Sequence, residues 1–222
     1  MNLHLISMGF DVTHILSKIK DISPTKEDMF YFIRPVVNGD EQESLIKKKE
    51  MAEKAINSVF ETLSSYVKVV YKFIDLDDTD FTGSILRLFD ETILIDGKPF
   101  KGSIHIWAVG GTRSLVAILV LYGQIDPRVK RIYGFTERMA DFPEIPTINK
   151  EYVYGKQKIK QIYNLLDSIE RGLPIPPGVG NRIINKLIKD GLIVKRSGRR
   201  TRLEITDIGR IYKKRYQILI NL

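Results

Sequence analysis

Hydrophobic and polar positions change period along this chain. Short apolar runs alternate with stretches in which apolar residues recur every three or four positions. Leu3 to Met8 is a compact apolar run; Gly9-Phe10-Asp11 breaks it, and Val12 to Lys20 then sets Ile15, Leu16 and Ile19 at helical spacing. Met29 to Arg34 is a second run, closed by Pro35. Glu41 to Ser64 is charged on one side, with Ile46, Ala52, Ile56, Val59, Phe60 and Leu63 on the other. Val67 to Ile74 is a third run, rich in Val, Tyr and Phe. Beyond an acidic stretch (Asp75, Asp77, Asp78, Asp80), the pattern predicts a helix over Phe81 to Thr92 and a tight turn at Asp96-Gly97. A fourth strand over Ser103 to Val109, a helix over Arg113 to Tyr122 and a fifth strand over Val129 to Phe135 follow. This alternation predicts an α/β domain, a Rossmann-like, mostly parallel sheet with helices on both faces, over residues 1–142.

The pattern then changes. Pro143 to Lys150 has two prolines and no period, which suits a linker over 143–155. Lys156 to Arg171 is helical, with Ile159, Ile162, Tyr163, Leu166 and Ile169 on one face. Gly172, Pro174, Pro176 and Pro177 interrupt, and Val179 to Lys189 is helical again. Leu192-Ile193-Val194 and Leu203-Glu204-Ile205 read as two strands around Ser197-Gly198-Arg199-Arg200, and a last helix runs from Asp207 into Tyr216. Helix, helix, hairpin, helix over 156–222 is the order of a small α+β winged-helix domain. A usual helix-turn-helix has a short helix before its recognition helix. Here that stretch, Leu173 to Gly180, is rich in Pro and Gly, so the helix is shortened or merged.

Charge sharpens the division. Glu151 to Leu222 holds 16 Lys plus Arg against 6 Asp plus Glu, whereas Met1 to Lys150 holds 19 against 21, and the whole chain carries +8. A near-neutral body joined to a basic module implies that contact with a polyanion is confined to one of them. Cys is absent, which excludes disulfides, thiolate metal sites and cysteine nucleophiles. With three histidines (His4, His14, His105) no metal site and no resident cofactor are expected. The N-terminus lacks the basic and apolar regions of a signal peptide, and Leu115 to Tyr122 is far too short to span a bilayer. The expectation is a soluble, cytoplasmic protein without membrane partners.

Ligands of open parallel sheets gather at the carboxyl ends of the strands, where loops meet helix N-termini. Two junctions there carry suitable chemistry. The first is Met8, Gly9, Phe10 and Asp11, following Ser7. The second is Gly110, Gly111, Thr112, Arg113 and Ser114. Glycines admit close approach, a helix start offers free amides, and Arg113 adds a charge-assisted bond to phosphate. The plainer reading is a tight turn beside a surface arginine. Asp11 and Thr13 either cap the first helix or reach a ribose or base. Arg34 and Asn38, and Thr136-Glu137-Arg138, lie at the same edge. In the basic module, Arg182, Asn185, Lys186 and Lys189 fall on or near one helix face. Arg196, Arg199, Arg200 and Arg202 fall in the hairpin, and such a set suits phosphates and base edges of DNA. A solvated basic hairpin used for protein contacts is the bland alternative.

Several short motifs, in order, give the chain a family resemblance. Ser7-Met8-Gly9-Phe10-Asp11, Gly110-Gly111-Thr112-Arg113-Ser114, the helix end Ile184 to Ile193 with Gly191 as its cap, and Ile205-Thr206-Asp207-Ile208-Gly209-Arg210 carry it. Together they resemble archaeal CRISPR-associated transcriptional regulators with an N-terminal CARF (CRISPR-associated Rossmann-fold) domain and a C-terminal winged helix-turn-helix. The resemblance implies a homodimer that binds a cyclic oligoadenylate, cyclic tetra-adenylate in this subfamily, across its two-fold axis. It also implies DNA as the second partner and antiviral defence as the setting.

Enzymatic chemistry has little support in the residues. There is no G-x-G-x-x-G and no Walker loop. Asp90 with Asp96-Gly97-Lys98 loosely imitates a nuclease acid and lysine, although Asp-Gly is also a common turn. His105 beside Trp107 reads as a packed core side chain. No catalytic residue is assigned. A ring nuclease cleaving the cyclic ligand, which needs positioning more than a dedicated base, stays open. So does a DNA binder whose α/β domain only dimerises.

Overall fold

The computed structural model describes residues 1–9, 24–36, 43–64, 69–134, 143–146, 156–196 and 202–221. The first-helix stretch Val12 to Lys20 and the hairpin tip Ser197 to Arg200 lie outside them.

In chain order the described elements begin with β1 (Asn2–Ser7), β2 (Asp28–Pro35), α1 (Glu43–Ser64), β3 (Val70–Leu76) and α2 (Phe81–Ile93). A hairpin of β4 (Leu94–Ile95) and β5 (Lys98–Pro99) follows, then β6 (Ser103–Ala108), α3 (Arg113–Ile125), β7 (Val129–Gly134) and β8 (Glu144–Ile145). The chain continues with α4 (Lys156–Glu170), α5 (Asn181–Lys189), β9 (Ile193–Arg196), β10 (Arg202–Ile205) and α6 (Asp207–Asn221). Among the described residues no helix is long and apolar enough to cross a membrane.

Six strands form one sheet in the order β3-β2-β1-β6-β7-β8, parallel throughout except that β8 runs antiparallel to β7. The fold is therefore Rossmann-like. β8 corrects the linker reading, because Glu144 and Ile145 pair with Tyr133 and Ile132 instead of running free. β2 is buried from Asp28 through Ile33, consistent with a central strand covered on both faces. On one face Phe30, Phe32, Ile6 and Trp107 meet Ala52, Ile56 and Phe60 of α1. Ile46, expected on that side, is exposed. On the other face α3 comes so close that a methyl group on Gly123 would meet Ile106 and Ile132 within 2.7 Å.

The third strand spans Val70–Leu76, running past the expected Ile74; its expected start at Val67 lies outside the described residues. Asp96 and Gly97 do form the tight turn, with φ of 51° and 73° joining β4 to β5. Asp90 accepts a bond from Lys214 of α6, so the acid of the loose nuclease imitation is already paired.

The described chain divides into two compact units, Met1–Ser84 with Lys101–Ile148, and Ile85–Phe100 with Asn149–Leu222. Ile85–Phe100 thus groups with the second unit, although the sequence pattern reads as one domain over 1–142. The second unit has its own core of Ile159, Ile162, Leu165, Leu166, Leu187, Leu192, Ile193 and Tyr216. Between α4 and α5 the described chain forms no helix, as the prolines require. α5 ends as expected at Gly191: with φ of 73°, its amide bonds Ile188 O at 3.0 Å while Leu192 N bonds Leu187 O at 2.9 Å. That pair of bonds is the Schellman closure. α6 extends to Asn221, past the expected Tyr216.

Candidate functional site

The strand order decides which predicted residues meet. From β1 the chain builds outward through β2 and β3, then crosses to the other side of β1 for β6 and β7. The direction reverses between β1 and β6, and the crevice at such a switch point is where open α/β sheets take ligands. Both predicted loops sit there, because β1 and β6 pair in register from Asn2↔Ser103 to Ile6↔Trp107.

Ser7, at the end of β1, ties the loops together. Its Oγ accepts from the amides of Val109 (2.9 Å) and Gly110 (3.0 Å) and donates to the Trp107 carbonyl at 3.2 Å. The glycines then allow backbone to touch backbone. A Cβ on Gly9 would stand 2.8 Å from Gly111 N. Gly111 itself holds φ of 89°, and a Cβ there would meet Leu115 Cδ2 at 2.8 Å and Met8 O at 3.1 Å. Neither position tolerates a side chain without moving the other loop.

Thr112 is the N-cap of α3, its Oγ1 accepting from Leu115 N at 3.2 Å, while its carbonyl takes Val116 N. Among the described residues the amides of Arg113 and Ser114 have no acceptor, so the positive end of α3 is open. Arg113 is exposed and has no carboxylate partner among the described residues. The Met8 side chain is buried in the core, so Met8 offers the crevice only its backbone. The Gly110 amide is likewise taken by Ser7. Phe10, Asp11, Thr13, His14, Asn38 and Thr136-Glu137-Arg138 lie outside the described residues.

Two crevice residues have roles that the sequence pattern does not show. Ser7 belongs to a motif by sequence, but in the fold it bridges the loops. Asp78 is one acid of an acidic stretch, yet its carboxylate accepts a hydrogen bond from the Thr112 hydroxyl. A signal for Ser7 existed, since a small hydroxyl residue ends an otherwise apolar run. None existed for Asp78, because its partner is far along the chain.

Arg34 proves unlike Arg113. Its guanidinium grips Asp75 with two bonds (2.9 and 2.8 Å), pairs with Glu53 and lies 4.7 Å above the Phe73 ring, while Lys49 also reaches Asp75 at 3.1 Å. Burial alone raises the Asp75 carboxyl, but the bonds from Arg34 and Lys49 outweigh it and hold it below the usual range. This cluster neutralises itself and is a structural clamp between β2, β3 and α1.

At the other end of the sheet His4 is buried against Phe30 and accepts the Trp107 indole proton at Nδ1 (3.2 Å). Nε2 therefore carries the proton of the neutral ring and faces Asp28 at 3.6 Å without a hydrogen bond. Burial, reinforced by His105, lowers its pKa to about 4. His105 stacks on His4 at 5.4 Å, as a packed side chain should.

In the second unit, Arg182, Asn185, Lys186 and Lys189 are all exposed, at spacings that put them on one face of α5 opposite buried Leu187. Arg182 to Lys189 spans about 10 Å of helix. Lys186 pairs with Asp190 at 2.9 Å. Arg196 and Arg202 are exposed on neighbouring strands, Arg196 pairing with Glu204 at 3.1 Å. Arg199 and Arg200 lie outside the described residues. Lys195, exposed on the same hairpin, adds a cation the sequence reading passed over.

No protein-family model matches the chain, and no curated protein matches it. Among solved structures it is similar to Can2 from Sulfobacillus thermosulfidooxidans in complex with cyclic tetra-adenylate (TM-score 0.34, 11% identity). That match covers 96% of this chain and 61% of Can2, so the chain spans about three fifths of that protein's length. It is also similar to the bacteriophage T5 D15 flap endonuclease (TM-score 0.30, 12% identity, 99% of this chain and 86% of that one). The zinc-bound T5 5′-exonuclease follows (TM-score 0.29, 12% identity, 100% and 88%).

Proposed function

We propose that this protein is a ligand-responsive DNA-binding regulator of the CARF and winged-helix type. Its first unit senses a cyclic oligoadenylate, cyclic tetra-adenylate in the first instance, and its second binds DNA. The observation that carries the reading is the interlocking of Ser7–Gly9 with Gly110–Thr112 at the switch point, beneath the open N-terminus of α3. Backbone amides and Arg113 there suit a phosphate-bearing ligand, and the glycines let the two loops close on each other beside that helix start. Homodimerisation fits the outward face of α3. Ala117 and Val120 are half-exposed and Leu121 is 45% exposed, all on the side that carries Arg113.

DNA binding fits the exposed stripe Arg182, Asn185, Lys186, Lys189 on α5, flanked by the hairpin cations. The irregular segment before α5 argues for phosphate contacts as a large part of the affinity. Ligand regulation requires that the two states bind the ligand differently, and either sign of regulation satisfies that.

Calorimetric titration with cyclic tetra-adenylate, using linear tetra-adenylate as control, tests the sensor. The expected result is saturation at one ring per dimer, lost in Arg113→Ala. No heat at any concentration sinks the sensor and leaves a basic DNA binder on an α/β domain.

A further inference from the structure

We propose that Asp78 is a built-in counter-anion of the crevice, a carboxylate that occupies the Thr112 hydroxyl until a polyanionic ligand displaces it. The inference rests on the reading of the crevice as a phosphate site and concerns how that site chooses its ligand.

The placement of Asp78 is unusual for its position in the chain. β3 is the outer strand of the sheet, three strands away from β6. At the usual spacing that is about 14 Å. Yet the loop after β3 delivers Asp78 to Thr112, which follows β6. That loop therefore brings Asp78 to the start of α3, beside the switch-point crevice.

Its neighbours hold Asp78 there. The Asp77 carboxylate accepts from the Thr79 amide (3.0 Å) and hydroxyl (2.6 Å), and Ser84 Oγ bonds the Asp77 carbonyl at 2.6 Å. On the other side Asp80 Oδ1 caps α2 through the Gly83 amide at 2.9 Å. With both flanks pinned, Asp78 is presented to Thr112 by the fold.

The chemistry follows from proton counting. A threonine hydroxyl has one proton to donate, and Thr112 gives it to Asp78 while its oxygen accepts from Leu115 N. A phosphate arriving at the Arg113 and Ser114 amides meets a like charge and a Thr112 hydroxyl that is already engaged. A singly charged or small anion, making one or two contacts, gains too little to expel the carboxylate. A ligand with several phosphates, held at many points, gains enough. Asp78 thus raises the threshold for entry and favours oligonucleotide rings over free phosphate or mononucleotides.

Calorimetry on the full chain tests this with wild type, Asp78→Asn and Asp78→Ser, against cyclic tetra-adenylate and inorganic phosphate. Asn keeps an acceptor for Thr112 without the charge, and Ser removes the carboxylate altogether, so misfolding of one variant does not decide the matter. The expected result is about tenfold tighter binding of the ring in both variants, together with measurable phosphate binding that wild type lacks. Unchanged or weaker ring binding in the variants, with wild type binding normally, overturns the counter-anion role and leaves the crevice standing. Failure of all three proteins to bind the ring removes the crevice reading, and this inference with it.

Discussion

The two units place their most tightly held charges differently. The first has a fully buried pair, Arg128 with Asp126 beneath α3, and a part-buried clamp of Arg34 with Asp75 and Glu53. Its candidate site relies on amides, two interlocked loops and Arg113, which has no carboxylate partner among the described residues. The second unit displays its ions on a helix face and a hairpin, with pairs such as Arg196–Glu204 more than half exposed. The difference teaches where precision and where strength come from. Buried charges fix geometry at high cost if broken, whereas exposed charges add affinity for a polyanion gradually and lose it to salt.

The largest effect is expected from breaking a buried pair. Asp126 accepts both the Arg128 guanidinium (3.0 and 2.6 Å) and the Tyr122 hydroxyl (2.5 Å), and none of the three is more than 3% exposed. Asp126→Ala removes the buried carboxylate that neutralises Arg128 and is expected to cost about 3–5 kcal/mol, read by urea denaturation. Glu204→Ala, the same deletion in an exposed pair, is expected to cost under about 1 kcal/mol. Equal losses would erase the contrast.

Next comes pH. His4 falls from the ordinary 6.5 to about 4 on folding, so the unfolded chain binds the extra proton first. Stability is therefore full above pH 6.5 and declines as pH falls toward 4, by about 3 kcal/mol from this group. Denaturation midpoints across that range should show a shallower decline in His4→Asn. An unchanged slope would mean that His4 is not the group responsible.

A ligand-side test sharpens the comparison from the other direction. Gly9→Ala forces a Cβ to 2.8 Å from Gly111 N, and ring binding is expected to fall about a hundredfold while DNA affinity is untouched. In the basic unit the effects shrink. Arg182→Ala is expected to weaken DNA binding several-fold for any sequence and to reduce the slope of log affinity against log salt by about 1. A loss confined to one operator would instead mark Arg182 as a base reader.

The sequence reading and the structure part company at identifiable places. Element types followed from local periodicity, as in the continuous apolar run of β2 and the three-and-four spacing of α4. Gly191 and Asp96-Gly97 were legible because a positive φ leaves few choices of residue. Ile46 misled because at the start of a long helix an apolar position need not reach the sheet. Glu144-Ile145 misled because a two-residue edge strand has no period to detect. Arg34 and Arg113 looked alike as arginines following strands, and only their neighbours separate a neutralised clamp from an open cation.

By itself, then, the sequence determined the alternation of strands and helices, the concentration of positive charge beyond Glu151, and the glycine-rich junctions. These depend on residues close together in the chain, where side-chain period, backbone freedom and charge act locally. Only the tertiary structure decided that Ser7 bridges to Gly110, that Gly9 presses on Gly111, and that Asp78 reaches across the sheet to Thr112. Those contacts join residues 34 to 103 positions apart. Strand order sets them, and strand order is fixed by the packing of the whole sheet, which no local pattern encodes.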